Sequence, residues 1–385
     1  MSNRLIALIT IVMATGTVTL LSSCGGAVPA PAAPAAAPAT AAPAAAAPTK
    51  APEATKPAAA PAATSAPAAA ASFPKLEIKM GHAQNVDTPW HRATQKFADL
   101  VKERTGGNVT VPIFPASQLG SEKDVDEQVK NGIVQMTVSS SGMVAVFDGW
   151  GPVGVLAMPY ILKGNTEEEE AKQLVKLARS PMMKEVLDKC AAASGMRALD
   201  MAWWYGDRHL TTKSKQVTKV ADMKDLKIRV VDSPMQRLAI QALGASVTPM
   251  AFAEVYSALQ MGVVEGQENP LNTIYSSKYY EVQKYLALTG HMSQNEEILI
   301  NEKFYQGLSP ELKAVLEKAA QEAGDYMTAE QIKANNQNMQ DLKDKGMVIT
   351  VVDKTEYAEK TKDAWKEFEP QIGKDLYDKV KAFQN

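Results

Sequence analysis

The chain has 385 residues, with 41 basic and 43 acidic side chains and a formal net charge of −2. So even a balance offers no electrostatic argument for nucleic acid or for an acidic surface partner, and nucleic acid is not among the expected partners. Only two cysteines are present, Cys24 and Cys190, which excludes a disulfide-built scaffold.

In chain order, the first segment reads as a targeting sequence. Arg4 is a short basic start, "LIALITIVMATGTVTLL" (5–21) is apolar, and "LSSC" (21–24) ends at Cys24 before two glycines. A plain secretory signal ends at small residues. This one resembles a bacterial lipobox, so residues 1–23 are expected to be a lipoprotein signal peptide and Cys24 the lipidated residue. The alternatives are a short transmembrane anchor or an ordinary signal peptide. Acyl chains contribute roughly 0.8 kcal/mol per buried CH₂, so several would hold the protein on the outer face of the bacterial cell membrane or in the periplasm. The rest of 24–72 is almost entirely Ala and Pro. Prolines every few residues forbid a helix, and the segment has nothing with which to bury a core. It is expected to be a disordered tether reaching on the order of 100 Å, at roughly 3.1 Å per residue.

The folded part starts near residue 73 and is long enough for two domains. "LEIKMGHAQ" (76–84) alternates like a strand. "TPWHRATQKFADLVKERTGG" then reads as a helix with Thr88 as cap, Pro89 in its first turn, an apolar face of Ala93, Phe97, Leu100 and Val101, and Gly106 as its stop. A strand (108–115), a helix (121–132) and a strand (134–140) complete a βαβαβ opening, which argues for a parallel or mixed sheet and an α/β fold. Next come strands at 196–204 and "KIRVV", a helix over 233–244 with Ser233 as cap, the strand "ASVTPM", and a helix closed by Gly262. After "GLSP", with Ser309 as cap and Pro310 at the first position, a helix of about 35 residues runs to Lys345. At 1.5 Å per residue it spans roughly 50 Å, more than one small domain, so it is expected to run along both.

Catalytic and metal patterns are missing. His82, His91, His209 and His291 fall in no HExxH or CxxC…H spacing, and there is no GxSxG, P-loop or GxGxxG. "NTEEEE" (165–170) reads as the solvated start of a helix, where acids favour the dipole, rather than as a metal site. "SSS" (139–141) has no partnered His in a known pattern, and Cys190 reads as a small buried apolar residue. The expectation is a binding protein with no metal, cofactor or catalytic residue. What remains is recognition chemistry. Arg229 lies among Ile228, Val230 and Val231, and arginine is almost never fully buried unless it is paired. Its partner is either a ligand carboxylate or an internal acid such as Glu265 or Glu268. Asn269, in "GVVEGQENP", either meets a ligand or holds its own turn, and Phe252, at a strand-to-helix junction, is either core or ligand wall.

Read together, "ADMKDLKIRV", "ALGASVTPMAFAEVYSALQMGVVEGQENPLNTI", "YYEVQKYLALTGH", "GGNVTVPIFPASQLGSEKDVDEQVKNG" and "FYQGLSPELKAVLEKAA" resemble the solute-binding component of TRAP transporters, the DctP family, over 76–383. The resemblance implies a two-domain periplasmic-binding-protein-like (type II) fold with a hinge and a long helix along both domains, here 73–204 plus 295–334 and 205–294 plus 335–385. It implies an extracytoplasmic protein that captures a small organic acid in the interdomain cleft, closes on it and delivers it to a sodium-driven membrane permease. The alternatives are an organic-acid module serving a sensor and a surface-anchored hydrolase. By position, Arg229 matches the arginine that pairs with the ligand carboxylate, Asn269 the asparagine that bonds the same group, and Phe252 an aromatic packed on the ligand. Arg208 matches a second ligand arginine. His82 and Asn85 fall in the first cleft loop, Ser140 and Ser141 line the cleft in relatives, and Trp204 and Tyr205 are either cleft wall or core. Sialic-acid-binding members carry a glutamate where Ser140 aligns and an arginine where Met143 aligns, which argues against that ligand here.

Overall fold

The computed structural model describes residues 72–383. Among them lie eleven strands: β1 (Leu76–Glu77), β2 (Met80–Gly81), β3 (Val109–Thr110), β4 (Ile113–Phe114), β5 (Met136–Ser140), β6 (Met196–Thr212), β7 (Lys227–Val230), β8 (Ser246–Pro249), β9 (Gly266–Asn269), β10 (Tyr285–Asn301) and β11 (Val348–Val351). The main sheet has the order β4-β2-β5-β10-β6-β9-β7-β8, with β11 added on β10, and β1 and β3 form a separate pair. The strand expected at 108–115 is split into β3 and β4 because Pro112 between them has no N–H to give to a ladder. Ile78, Met80 and His82 nevertheless donate in turn to Thr110, Pro112 and Phe114 carbonyls, so the two pieces act as one edge.

Two 17-residue strands, β6 and β10, connect the halves of the sheet. Each is about 55 Å long at 3.3 Å per residue. The C-terminal half of β10 pairs with β5, and its N-terminal end pairs with β11. The C-terminal end of β6 pairs with β9. Between the two halves the β6–β10 ladder loses register, at Ala287/Met292 and again near Gln294. Gly206 (φ +121) and Gly290 (φ +49) sit in this stretch. A Cβ on Gly206 would lie 2.8 Å from Asn335 Nδ2 and 3.1 Å from Pro270 Cβ, so only glycine supplies both the left-handed backbone and the close approach. The sequence reading ended this strand at 204. It continues because the polar run "YGDRHLTT" is itself buried between β9 and β10, where periodicity carries no apolar signal.

Helices cover both halves. The helix Pro89–Arg104 is capped by Thr88, whose hydroxyl accepts from His91 N at 3.3 Å, and it buries Phe97 and Val101 with Met80, Val138 and Ile298. The long helix Pro310–Asp344 has 35 residues and is capped by Ser309, as expected. Its Leu316, Ala320, Ala323 and Met327 belong to that same core, whereas Leu342 packs with Leu259 and Ile274 of the other half. Small residues face β6 because the contact is tight: Trp203 Nε1 donates to Ala320 O at 3.0 Å, and a Cβ on Gly324 would lie 2.5 Å from Trp203 Cδ1. The helix Pro234–Ala242 starts after Ser233, but that hydroxyl makes no capping bond. No helix among the described residues is long and apolar enough to cross a membrane.

The acidic run 165–170 is only half solvated. Thr166 caps the helix Glu167–Ala178, and Glu168 and Glu169 are exposed. Glu167 and Glu170 instead turn toward buried Asp207 on β6, beside the register break. Asn335 Nδ2 donates to Glu167 at 3.1 Å, and the Lys354 ammonium stands 3.8 Å from Asp207. Burial, then the Asp207 charge, pushes the Glu167 carboxyl up to about 8. The same two causes raise Glu170, whose carboxyl shares a hydrogen bond with Asp207. An acid whose folded pKa lies above its unfolded value makes the folded state bind more protons, so stability falls as pH rises toward that folded value. With an ordinary pKa near 6.5 the histidines of the unfolded chain are already mostly neutral at pH 7, so their opposing contribution above it is small. The thermal midpoint is therefore expected to fall between pH 7 and pH 9, and Glu167→Gln to flatten that fall, as read by calorimetric melts across the range.

Candidate ligand-binding site

Arg229 is fixed by its strand. β7 lies between β8 and β9, and Ile228 and Val230 turn to one face, into a core with Ile240 and Tyr357. Arg229 takes the opposite face, as strand alternation requires. There it lines a cavity of about 310 Å³, at the strand ends where open α/β sheets place their ligands. The side chain is 1% exposed. Its Nε and Nη2 both donate to the Met250 carbonyl, at 3.1 and 2.6 Å, and its Nη1 has no hydrogen-bond partner. Among the described residues no carboxylate makes an ion pair with it. Burial lowers its pKa from the ordinary arginine value, while Tyr279 and Glu268 act in the opposite sense.

The two internal acids that spacing allowed as partners are engaged elsewhere. Glu265 accepts from Ser214 N and Oγ, both at 2.6 Å. Glu268 takes Arg208. Nε of Arg208 donates to Glu268 Oε2, Nη2 to Glu268 Oε1 at 2.9 Å and to its carbonyl at 2.6 Å, and Nη1 to Gln294 Oε1. His291 Nε2 adds a contact to Glu268 at 3.3 Å. Burial alone would raise the Glu268 carboxyl, but the Arg208 charge and the bonds from His291 and Arg208 bring it down to about 2. Register decides this division. β6 aligns Leu210 with Glu268, which puts Arg208 on the face of Glu268, whereas β7 aligns Arg229 with the neutral Gln267.

A family model described as DctP, bacterial extracellular solute-binding protein, family 7, matches residues 80–371. The chain belongs to that family. It is 31% identical over 306 residues, 79% of this chain and 92% of the other, to the sialic acid-binding periplasmic protein SiaP of Vibrio cholerae. To the 2,3-diketo-L-gulonate-binding periplasmic protein YiaO of Escherichia coli it is 32% identical over 75% of this chain and 85% of that one. The structure of a TRAP periplasmic solute-binding protein from Ochrobacterium anthropi with bound L-fuconate matches with a TM-score of 0.74 and 31% identity, over 81% of this chain and 100% of that one. The chain is thus an extracytoplasmic solute-binding protein of the TRAP type, with the two-domain type II-like fold.

Of the residues singled out in the sequence, Arg229, Arg208, Asn269, Phe252 and Tyr205 line one cavity. Asn269 is the last residue of β9 rather than part of a turn, and its Nδ2 donates to Gln267 Oε1 at 2.6 Å. Tyr205 bonds Thr273 and accepts from Gln84 at 3.1 Å. Trp204, the next residue along β6, points the other way: it donates to Ser293 at 3.0 Å and sits in the core with Trp150 and Met292, away from the cavity. His82 lies behind the wall, where it bonds His91 at 3.1 Å and accepts from Gln84 N; burial and His91 lower its pKa to about 3. Asn85 lines a separate groove of about 260 Å³ that shares Phe252. Ser140 and Ser141 also stand behind the cavity, one bonding Glu122 and the other Asn295 and Glu297. Cys24 lies outside the described residues. Cys190 is buried, and burial pushes its thiol up to about 12. Sequence reasoning missed Gln84, Trp90 and Glu122 on the wall. Glu122 looks like an ordinary first-turn acid beside the Ser121–Asp124 capping box, and Trp90 like one more apolar residue of its helix.

Removing one partner of a buried ion pair strands the other charge, at about 3–5 kcal/mol. Glu268→Ala is therefore expected to lower stability by about that much in urea unfolding, with Arg208 the charge left unpaired.

Proposed function

We propose that the protein captures a small organic acid by completing the Arg229 guanidinium, and that it hands this ligand to the membrane permease of a TRAP transporter. The observation that carries the reading is Arg229 Nη1, a charged donor on a cavity wall, buried and without an acceptor. A carboxylate placed there forms charge-assisted hydrogen bonds, each worth about 1.5–3 kcal/mol net. Asn269 borders the same space and supplies an amide to the same group. The three relatives' named ligands, sialic acid, 2,3-diketo-L-gulonate and L-fuconate, are all organic acids. Sialic acid itself is disfavoured by Ser140 and Met143, for the reason given above.

The two lobes of this reading are 73–204 plus 295–334 and 205–294 plus 335–385. Arg229, Asn269 and Phe252 belong to the second, Trp90 and Glu122 to the first, and β6 and β10 run between them. A ligand touching both lobes favours the closed form through its differential contacts, which gives the permease a signal of loading. At the other end of the chain, Cys24 carries the lipid and 25–72 is the tether, so the lobes stay near the membrane.

Arg229→Ala is expected to lose about 3 kcal/mol or more of affinity, the penalty of unpairing a buried charge. Calorimetric titration with the organic acid that binds the unaltered protein measures this, and unchanged affinity refutes the assignment. Cys24→Ser is expected to release the protein from membranes into the soluble fraction of a bacterial host, with loss of the acyl mass from the mature chain. Retention on the membrane excludes the anchor.

A further inference from the structure

Three buried side-chain atoms on the wall of the Arg229 cavity have no partner: Arg229 Nη1, Trp90 Nε1 and Gln84 Oε1. Unmet buried polar groups are rare and point to a missing partner. A fourth group is Glu122. Its Oε1 accepts from Ser139 Oγ at 3.0 Å, Ser140 N at 2.9 Å and Ser140 Oγ at 2.8 Å, and no protein hydrogen bond falls on its Oε2. Burial and then the Glu122 charge push the carboxyls of Asp126 and Glu296 well above the usual range.

The charges on the wall are unequally spent. Arg208 is neutralised by Glu268, and Lys123 stands 4.0 Å from Asp232. Arg229 alone among the lining cations has no carboxylate, so the cavity neutralises one ligand carboxylate. A second would face Glu122, an acceptor meeting an acceptor and a like charge. What Glu122 Oε2 and the free end of the Gln84 amide lack is a hydroxyl-type donor, and what Trp90 Nε1 lacks is an acceptor. Hydroxyls are both. Between these polar points the wall is aromatic, with Trp90 and Tyr205 edge to face at 5.3 Å, a surface suited to the C–H face of a polyol chain or sugar ring.

We propose that Glu122 is the specificity-determining residue of this site. It admits polyhydroxy monocarboxylates, whose carboxylate lies on Arg229 and whose hydroxyls reach Glu122, Gln84 and Trp90, and it rejects acids with a second carboxylate. This rests on the Arg229 reading above and narrows it.

The test is calorimetric titration of the purified full chain with two series, D-gluconate, D-glucarate and D-glucose, and D-galactonate, galactarate and D-galactose, in which monoacid and diacid differ only at C6 and the sugar carries a ring hemiacetal in place of the carboxylate, with succinate and L-glutamate alongside. In at least one series the monoacid is expected to bind about tenfold or more tighter than its diacid, and tighter than succinate and glutamate. Glu122→Gln, which keeps the shape and removes the charge, is expected to shrink that monoacid-to-diacid ratio about tenfold. The ratio is taken within one protein preparation, so a loss of folded fraction cancels. A diacid, succinate or glutamate that binds as tightly as the monoacids overturns the proposal and leaves Arg229 standing. A ratio unchanged in Glu122→Gln, or no binding by any monoacid, also overturns it. A neutral sugar that binds as tightly as its acid overturns the Arg229 reading instead.

Discussion

The site depends on a guanidinium held out of water with one nitrogen unfilled. Burial of an ion costs several kcal/mol even after relaxation, and the protein offsets that for Arg229 only in part. The Met250 carbonyl receives two of its N–H groups, and the nearby charges act at a distance. β7 is clamped between β8 and β9, which fixes the backbone from which the side chain projects. The same clamp makes the group ready for an anion, because little side-chain freedom remains to be lost when one arrives.

Two arginines on the strands that flank β9 meet opposite fates because of a single-residue offset on β9. Glu268 and Gln267 are adjacent, so they face opposite sides of the sheet. The acid falls on the face of Arg208, the amide on that of Arg229. The pair Arg208–Glu268, joined by His291, therefore leaves the second arginine without a carboxylate of the chain's own.

Much of this was legible in the sequence, and the parts that were not share a cause. Thr88 and Ser309 marked helix starts correctly because capping is local chemistry, whereas Ser233 precedes its helix without a capping bond. The 35-residue helix was legible from its apolar period and its Ser-Pro opening. Arg229 stood out because a charge inside a β-branched run contradicts its surroundings. The continuation of β6 past 204 and the whole of β10 were not legible, because their central residues are polar and buried at once. Trp204 and Tyr205 could not be told apart without knowing which face of β6 meets the cavity. Glu122 is hidden for the opposite reason: a glutamate in a first turn needs no explanation, so nothing local marks it as a wall residue. Glu167 and Glu170 show the same limit, since the helix-start reading was right for their backbone and silent about where their carboxyls point.

The placement of the unfilled groups explains why the fold is arranged around two long strands. Arg229 and Asn269 stand at the ends of β7 and β9, while Trp90 and Glu122 stand at the starts of two helices in the other half of the sheet. A ligand that met Arg229 alone would bind any arrangement of the halves equally and so would shift none of them, however tightly it bound. One that also fills Trp90 and Glu122 draws its affinity from the arrangement in which those groups surround the cavity. Among the elements that run between the two sets are β6 and β10, whose ladder breaks at Gly206 and Gly290, and the long helix Pro310–Asp344, which packs in both halves. Arg208 lies two residues beyond Gly206, so its ion pair with Glu268 is built into the stretch of strand where the ladder loses register.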